Sequence, residues 1–128
     1  EEPKGFSFYA IPQVAFLLPE ISQTSRHIDA EPENIASGKF TYRSNGMALA
    51  IQEKEGICKV DYDTSKNHLS YMGILGESSP ELIQLGVHMI DHDLNYQGLV
   101  DSVVGHPSLS EILHEALLDT HKHGIHQL

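Results

Sequence analysis

The chain has 128 residues, 40% of them hydrophobic, which suits one globular domain with a single core. Its 18 acidic and 8 basic residues give a net charge of −10, which repels phosphate backbones and argues against nucleic acid as a partner. With no apolar run of about 18 residues and one cysteine, Cys58, we expect no membrane span, no internal disulfide and a cytoplasmic location.

The N-terminal third combines one apolar run with polar connections. Residues 8–18 are rich in strand-forming side chains, and because a proline interrupts them we expect either an edge strand or a strand beginning at Gln13. Pro19 is typical of a first helical position and predicts a short helical turn through residues 22–28. Residues 29–37 are polar and contain a proline, which predicts a loop.

The middle of the chain predicts a β-hairpin. Residues 39–43 alternate between polar and apolar side chains and predict a strand that ends at an Asn-Gly turn. Residues 47–52 are interpreted as a short strand or a bend. Alternation in residues 56–63 and again in 68–76, around a short polar turn, predicts two paired antiparallel strands.

Helical spacing replaces alternation in the last third. Ser79, followed by a proline and an acidic residue, predicts an N-cap, and apolar residues then recur at helical spacing up to Ile90. Shorter helical segments are expected at residues 99–104 and 109–118. Strands followed by helices predict an α+β fold, an antiparallel sheet with helices packed on one face, as one domain over residues 1–128.

The sequence His-Pro-Ser-Leu-Ser-Glu at residues 106–111 supports two interpretations. Ser108 and Glu111 have the spacing of a capping box, in which each side chain bonds the backbone N–H of the other at a helix start. Glu111 could equally orient the imidazole of His106 and stabilise its protonated form, the arrangement of a general acid or base. The two roles are compatible, since one carboxylate has two oxygens.

Other candidate groups have weaker patterns. His88 and His92 stand four residues apart and could clamp a metal in a small metal-binding protein, but no third ligand is fixed by the sequence, so we predict no metal site. Cys58 is interpreted as a small core hydrophobe. His27 and His68 fall in polar turns and are expected to be exposed.

Several motifs resemble one known family. Residues 11–16 (IPQVAF), the Asn-Gly-x-Ala sequence at 45–48, Glu-Leu-Ile at 81–83 and residues 106–111 are similar to segments of the C-terminal dimerisation domain of the pyridine nucleotide–disulfide oxidoreductases. The resemblance covers residues 8–120. Within the family, the L-S-E-x-x-x-E-A wording that begins at Leu109 most resembles dihydrolipoamide dehydrogenase.

The resemblance implies a specific chemistry. His106 would act as acid/base in the active site of the partner subunit of a homodimer, taking a proton from a dithiol substrate such as lipoamide, with Glu111 as its orienter. His106 and Pro107 would lie near the partner's FAD. FAD and NAD would serve the full-length enzyme, whereas we expect this chain alone to bind neither cofactor and to be inactive.

The chain also departs from the family pattern. The family commonly has a threonine where this chain has Leu17 and Leu18. It often has an arginine at the position of Met47 and a second histidine at the position of Val104. These differences weaken the assignment to a particular substrate. No nucleotide-binding glycine motif or cysteine pair is present in this chain. The alternatives are a glutathione-reductase-type sibling, or a purely structural dimerisation module in which His106 and Glu111 only begin a helix.

Overall fold

Five antiparallel strands form one sheet in the computed structural model, which describes residues 10–26 and 31–122. The strands are β1 (Gln13–Ala15), β2 (Ile21–Ser25), β3 (Ile35–Thr41), β4 (Ile57–Asp63) and β5 (His68–Leu75), in the spatial order β1-β2-β5-β4-β3. The helices are α1 (Gly46–Ala50), α2 (Ser79–Asp91), α3 (Tyr96–Val100) and α4 (Glu111–Thr120), with 3-10 turns at Pro32–Asn34 and Tyr42–Ser44.

The predicted hairpin is confirmed as β4 and β5, the centre of the sheet. Its pairing places Val60 opposite Met72, and a bulge follows Asp61. Asp63 closes the turn, because its Oδ1 accepts the backbone N–H groups of Ser65 and Lys66. Although burial acts to raise it, the hydrogen bond from the Ser65 hydroxyl and these two backbone bonds bring the pKa of Asp63 below its usual value.

One face of the sheet forms the core. Cys58, Val60 and Tyr62 alternate along β4 with more exposed residues, and all three are almost completely buried. Helix α2 covers β2 and β5, while α4 covers β3 and β4. The predicted α+β fold, with helices on one face of an antiparallel sheet, is therefore confirmed.

Both helices approach the sheet closely at a glycine. A Cβ atom added to Gly38 on β3 would lie 2.1 Å from the carbonyl oxygen of Ala116 on α4. One added to Gly86 on α2 would lie 2.7 Å from Sδ of Met72 on β5. Because van der Waals contact requires far more space, these two positions set how near each helix comes to the strands.

Two predictions in the N-terminal third are wrong. Residues 21–25 form β2 and not a helical turn, because Ser22 and Thr24 point into the core while the intervening residues face outward along β5. The predicted loop at 29–37 ends early: β3 starts at Ile35, where the chain pairs with β4. Residues 27–30 lie outside the described part of the chain. The predicted strand starting at Gln13 is confirmed.

The segment at 47–52, predicted as a strand or bend, is largely helix α1. Asn45 caps it, because its side-chain oxygen accepts the N–H of Ala48 at 2.8 Å. Helices α2 and α4 are confirmed, with α2 beginning at Ser79, the predicted N-cap, and α4 at Glu111. The helix predicted at 99–104 is displaced: α3 covers Tyr96–Val100, because Asn95 caps it by accepting the N–H of Gly98. Within the described residues, no helix is long and apolar enough to cross a membrane.

Candidate active site

His106 and Glu111 lie in direct contact on an exposed loop before α4. Nδ1 of His106 is 2.6 Å from Oε1 of Glu111. A carboxylate can only accept, so Nδ1 carries the proton and Nε2 of the neutral ring is left as the acceptor. The imidazole side chain is 79% exposed while the carboxylate is 23% exposed. The partly buried carboxylate therefore holds the imidazole in a fixed orientation, and the ring remains accessible to a group from outside the chain.

Glu111 also stabilises the start of its helix. Its second oxygen, Oε2, accepts the backbone N–H of Ser108 at 2.9 Å. The reciprocal bond of the predicted capping box is absent, because Oγ of Ser108 is buried and has no hydrogen-bond partner among the described residues. Ser110 stands at the N-cap position with helical backbone angles. The carboxylate of Glu111 thus orients the imidazole through one oxygen, and through the other it makes one of the two capping-box bonds at the start of α4.

Asn45 ties this loop to the rest of the domain. Its Nδ2 donates to the carbonyl oxygen of Ser108 at 2.9 Å, while its Oδ1 caps α1 through Ala48. The side chain is 3% exposed. The sequence assigned this residue only a turn, although an asparagine three residues before a good helix former is also a cap signal. The link to Ser108, 63 residues away, has no sequence signal.

Replacing Asn45 with alanine should cost more stability than the same change at Asn95. Both asparagines cap a helix, since Oδ1 of Asn95 accepts the N–H of Gly98 at 2.8 Å. Only Asn45 is buried and also bonds Ser108. We expect Asn45→Ala to lower the free energy of unfolding by about 2–3 kcal/mol and Asn95→Ala by about 1 kcal/mol. Urea denaturation measures both free energies of unfolding. Equal losses would mean that the hydrogen bond from Asn45 to Ser108 adds no stability.

Pro107 and the other candidates occupy varied environments. The peptide bond between His106 and Pro107 is cis, and both residues are exposed. Cys58 is fully buried, and burial raises the pKa of its thiol to about 12, so its interpretation as a core hydrophobe is confirmed. His68 was expected to be exposed. That prediction is wrong, because the residue pairs with Asp63 at the end of the hairpin and is buried.

Three further histidines contact parts of their own chain: His88 and His92 contact each other, and His114 contacts the backbone. His88 and His92 stack with ring centroids 6.1 Å apart on the exposed end of α2. No group of three metal-ligating side chains occurs in the described ranges, 10–26 and 31–122. His114 bonds the carbonyl oxygen of Val100 through Nε2 at 3.0 Å, which links α4 to α3. His27 and the histidines from 123 onward lie outside the described residues.

Solved structures share the fold. LpdA from Mycobacterium tuberculosis matches with a TM-score of 0.76 and 17% identity, over 89% of this chain and 26% of that one. The HOCl-induced flavoprotein disulfide reductase RclA from Escherichia coli matches with a TM-score of 0.75 and 22% identity, over 84% of this chain and 26% of that one. At these identities the likeness is one of fold.

Sequence comparisons define the family. The model of the pyridine nucleotide-disulphide oxidoreductase dimerisation domain matches residues 11–117. Dihydrolipoyl dehydrogenase 2 of Haloarcula marismortui is 33% identical over 98% of this chain and 27% of its own length. A dihydrolipoyl dehydrogenase of Synechocystis is 34% identical over 85% of this chain and 24% of its own length. The chain thus spans about a quarter of the relatives it matches. It belongs to the pyridine nucleotide-disulphide oxidoreductase dimerisation-domain family.

Proposed function

We propose that this chain is the dimerisation domain of a dihydrolipoamide dehydrogenase-like enzyme and supplies its acid/base pair to the partner subunit. The 2.6 Å contact between Nδ1 of His106 and Oε1 of Glu111 carries the proposal. An oriented, exposed imidazole is suited to proton transfer. Among the described residues of its own chain it has no thiol in reach, since Cys58 is sealed in the core. Its substrate would therefore come from outside.

In the proposed reaction, Nε2 of His106 takes the proton of a substrate S–H group. The products of this step are a thiolate and an imidazolium, whose Nδ1–H remains bonded to Glu111. The carboxylate offsets the new positive charge, which favours the transfer, and fixes the plane of the ring. In the reverse direction the imidazolium returns the proton to the thiolate. Glu111 acts as a positioning residue throughout, because its carboxylate contacts Nδ1 of the imidazole and the backbone N–H of Ser108, while the proton is exchanged at Nε2.

The proposal includes FAD and NAD as cofactors of the full-length enzyme. His106 and Pro107 are both exposed, so an edge of a flat ring held by the partner could lie against them. Bound FAD would supply the acceptor for the electron pair that leaves the dithiol. The contribution of this chain is to cover that site and hold the proton acceptor.

A homodimer is proposed as the working assembly. Several apolar side chains around β1 are exposed, including Phe16 at 78% and Leu18 at 101%. Soluble monomers seldom display adjoining large hydrophobic residues, so this surface favours burial against another domain or chain. A two-fold axis would let each subunit complete the site of the other.

The proposal is tested on the native polypeptide that contains this sequence. We expect an intact mass several times the 14.2 kDa of this chain, a visible absorption spectrum of bound flavin, and NADH-dependent reduction of lipoamide. Oxidised glutathione is the matched alternative substrate, and a preference for it would indicate the glutathione-reductase-type sibling. A colourless protein with the mass of this chain would contradict the proposal.

A further inference from the structure

A cleft of about 120 Å³ lies beside the His106–Glu111 pair. Besides these two residues, its lining includes the polar residues Ser44, Asn45 and Glu115. One buried water needs about 10–15 Å³ of free space and two or more polar partners. The cleft is therefore large enough and polar enough to hold several waters. We call it the His106 cleft.

Glu115 is buried, and one of its carboxylate oxygens has no hydrogen-bond partner among the described residues. The residue is 9% exposed, and its Oε2 is buried without a hydrogen-bond partner among the described residues. It lies four residues after Glu111, so both side chains project from the same face of α4. Leaving a carboxylate oxygen buried and unbonded is costly, and an apolar residue of equal size would avoid that cost. Packing alone gives no reason for a glutamate here.

We propose that Glu115 is a positioning residue for the His106–Glu111 pair and acts through water in the His106 cleft. Two carboxylates cannot bond each other directly, because both only accept. A water molecule has two O–H donors, and one can be directed to Oε2 of Glu115 while the other is directed to Glu111. This bridge satisfies the buried oxygen of Glu115 and holds Glu111 against Nδ1 of His106. The inference rests on the proposed function for its turnover readout.

A positioning role and a packing role predict opposite combinations of stability and turnover. Glu115→Met fills a similar volume and removes the buried charge, so the melting temperature should be equal to or higher than that of the unchanged protein. The bridge to Glu111 is lost, so turnover should fall. If Glu115 served only packing, turnover would follow stability, and a variant that folds well would work well.

The experiment compares four variants in the full-length enzyme with lipoamide as substrate. We expect Glu115→Met to lower kcat about tenfold with KM within twofold, because His106 acts on the bound substrate. Glu115→Gln retains an acceptor and should lower kcat only about threefold. Asp119→Asn is the matched control: it removes a carboxylate one turn further along α4, outside the cleft, where Oδ2 accepts the N–H of Lys39. Its kcat should be unchanged.

The fourth variant, His106→Gln, separates the two ideas. If it retains turnover, the proposed function fails. If it loses turnover while Glu115→Met stays within twofold of the unchanged enzyme, the positioning role of Glu115 alone is overturned. Parallel loss of kcat and melting temperature in Glu115→Met, with no recovery in Glu115→Gln, would also overturn it. Should Glu115→Met fail to fold, the kcat of Glu115→Gln relative to Asp119→Asn decides, and equality would reject the inference.

Discussion

Replacing His106 with glutamine should lower the turnover of the full-length enzyme with a dithiol substrate by about 10²- to 10⁴-fold, the usual contribution of a positioned acid or base. Glutamine keeps a hydrogen-bonding group near Glu111 but cannot take up a proton at neutral pH. Steady-state kinetics with dihydrolipoamide and NAD measure the loss. We expect it in kcat, since the proton is taken from substrate that is already bound.

The same variant should leave the fold intact. His106 is exposed, and the bond from the Ser108 N–H to Oε2 of Glu111 does not involve the imidazole. Its melting temperature should therefore match that of His92→Gln, a control that removes another exposed histidine, the residue directly after α2. The control should retain full turnover. Unchanged turnover in His106→Gln would contradict catalysis and favour the purely structural module.

Replacing Gly38 with alanine should have the largest effect on stability. The added Cβ would meet three atoms of α4: the Ala116 carbonyl oxygen at 2.1 Å, the Thr120 nitrogen at 2.7 Å and the Thr120 Cγ2 at 2.9 Å. Two of these belong to the helix backbone, so a rotamer change cannot relieve the clash and the helix must move off β3. We expect a loss of about 3 kcal/mol in the free energy of unfolding.

Gly105→Ala is the matched control for this change. A Cβ atom at Gly105 would meet no atom within 4 Å, so its stability should stay within about 0.5 kcal/mol of the unchanged protein. Chemical denaturation of both variants measures the difference. A mild effect of Gly38→Ala, similar to that of Gly105→Ala, would mean that α4 can retreat from the sheet at little cost.

Local patterns were sufficient where the local and tertiary preferences agree. The hairpin β4–β5 follows from alternation on either side of a polar turn, and both of its strands lie centrally with one face buried. The segment 22–28 shows the opposite case. Pro19 and Glu20 favour a helix start locally, but pairing with β5 imposes a strand on residues 21–25. No local signal records that pairing.

In the candidate site too, the sequence indicates the local contact but not the contacts made by tertiary packing. His106 and Glu111 are five residues apart, so their contact could be proposed from the sequence. Asn45 reaches the same loop across 63 residues, and Glu115 meets the cleft through the packing of α4 against β3. These contacts depend on tertiary geometry. The sequence predicts only a turn at Asn45, and it marks Glu115 only as one position of the L-S-E-x-x-x-E-A motif.

The buried cysteine gives the chain an internal reporter of its own motions. Cys58 lies on a central strand beneath the helices, fully covered and protonated at neutral pH. A thiol reagent can modify it only after that strand is uncovered, because only the accessible thiolate reacts. Its labelling rate therefore measures how often the sheet opens, without any introduced probe. With a single thiol in the chain, each modified molecule records one opening event at one known position.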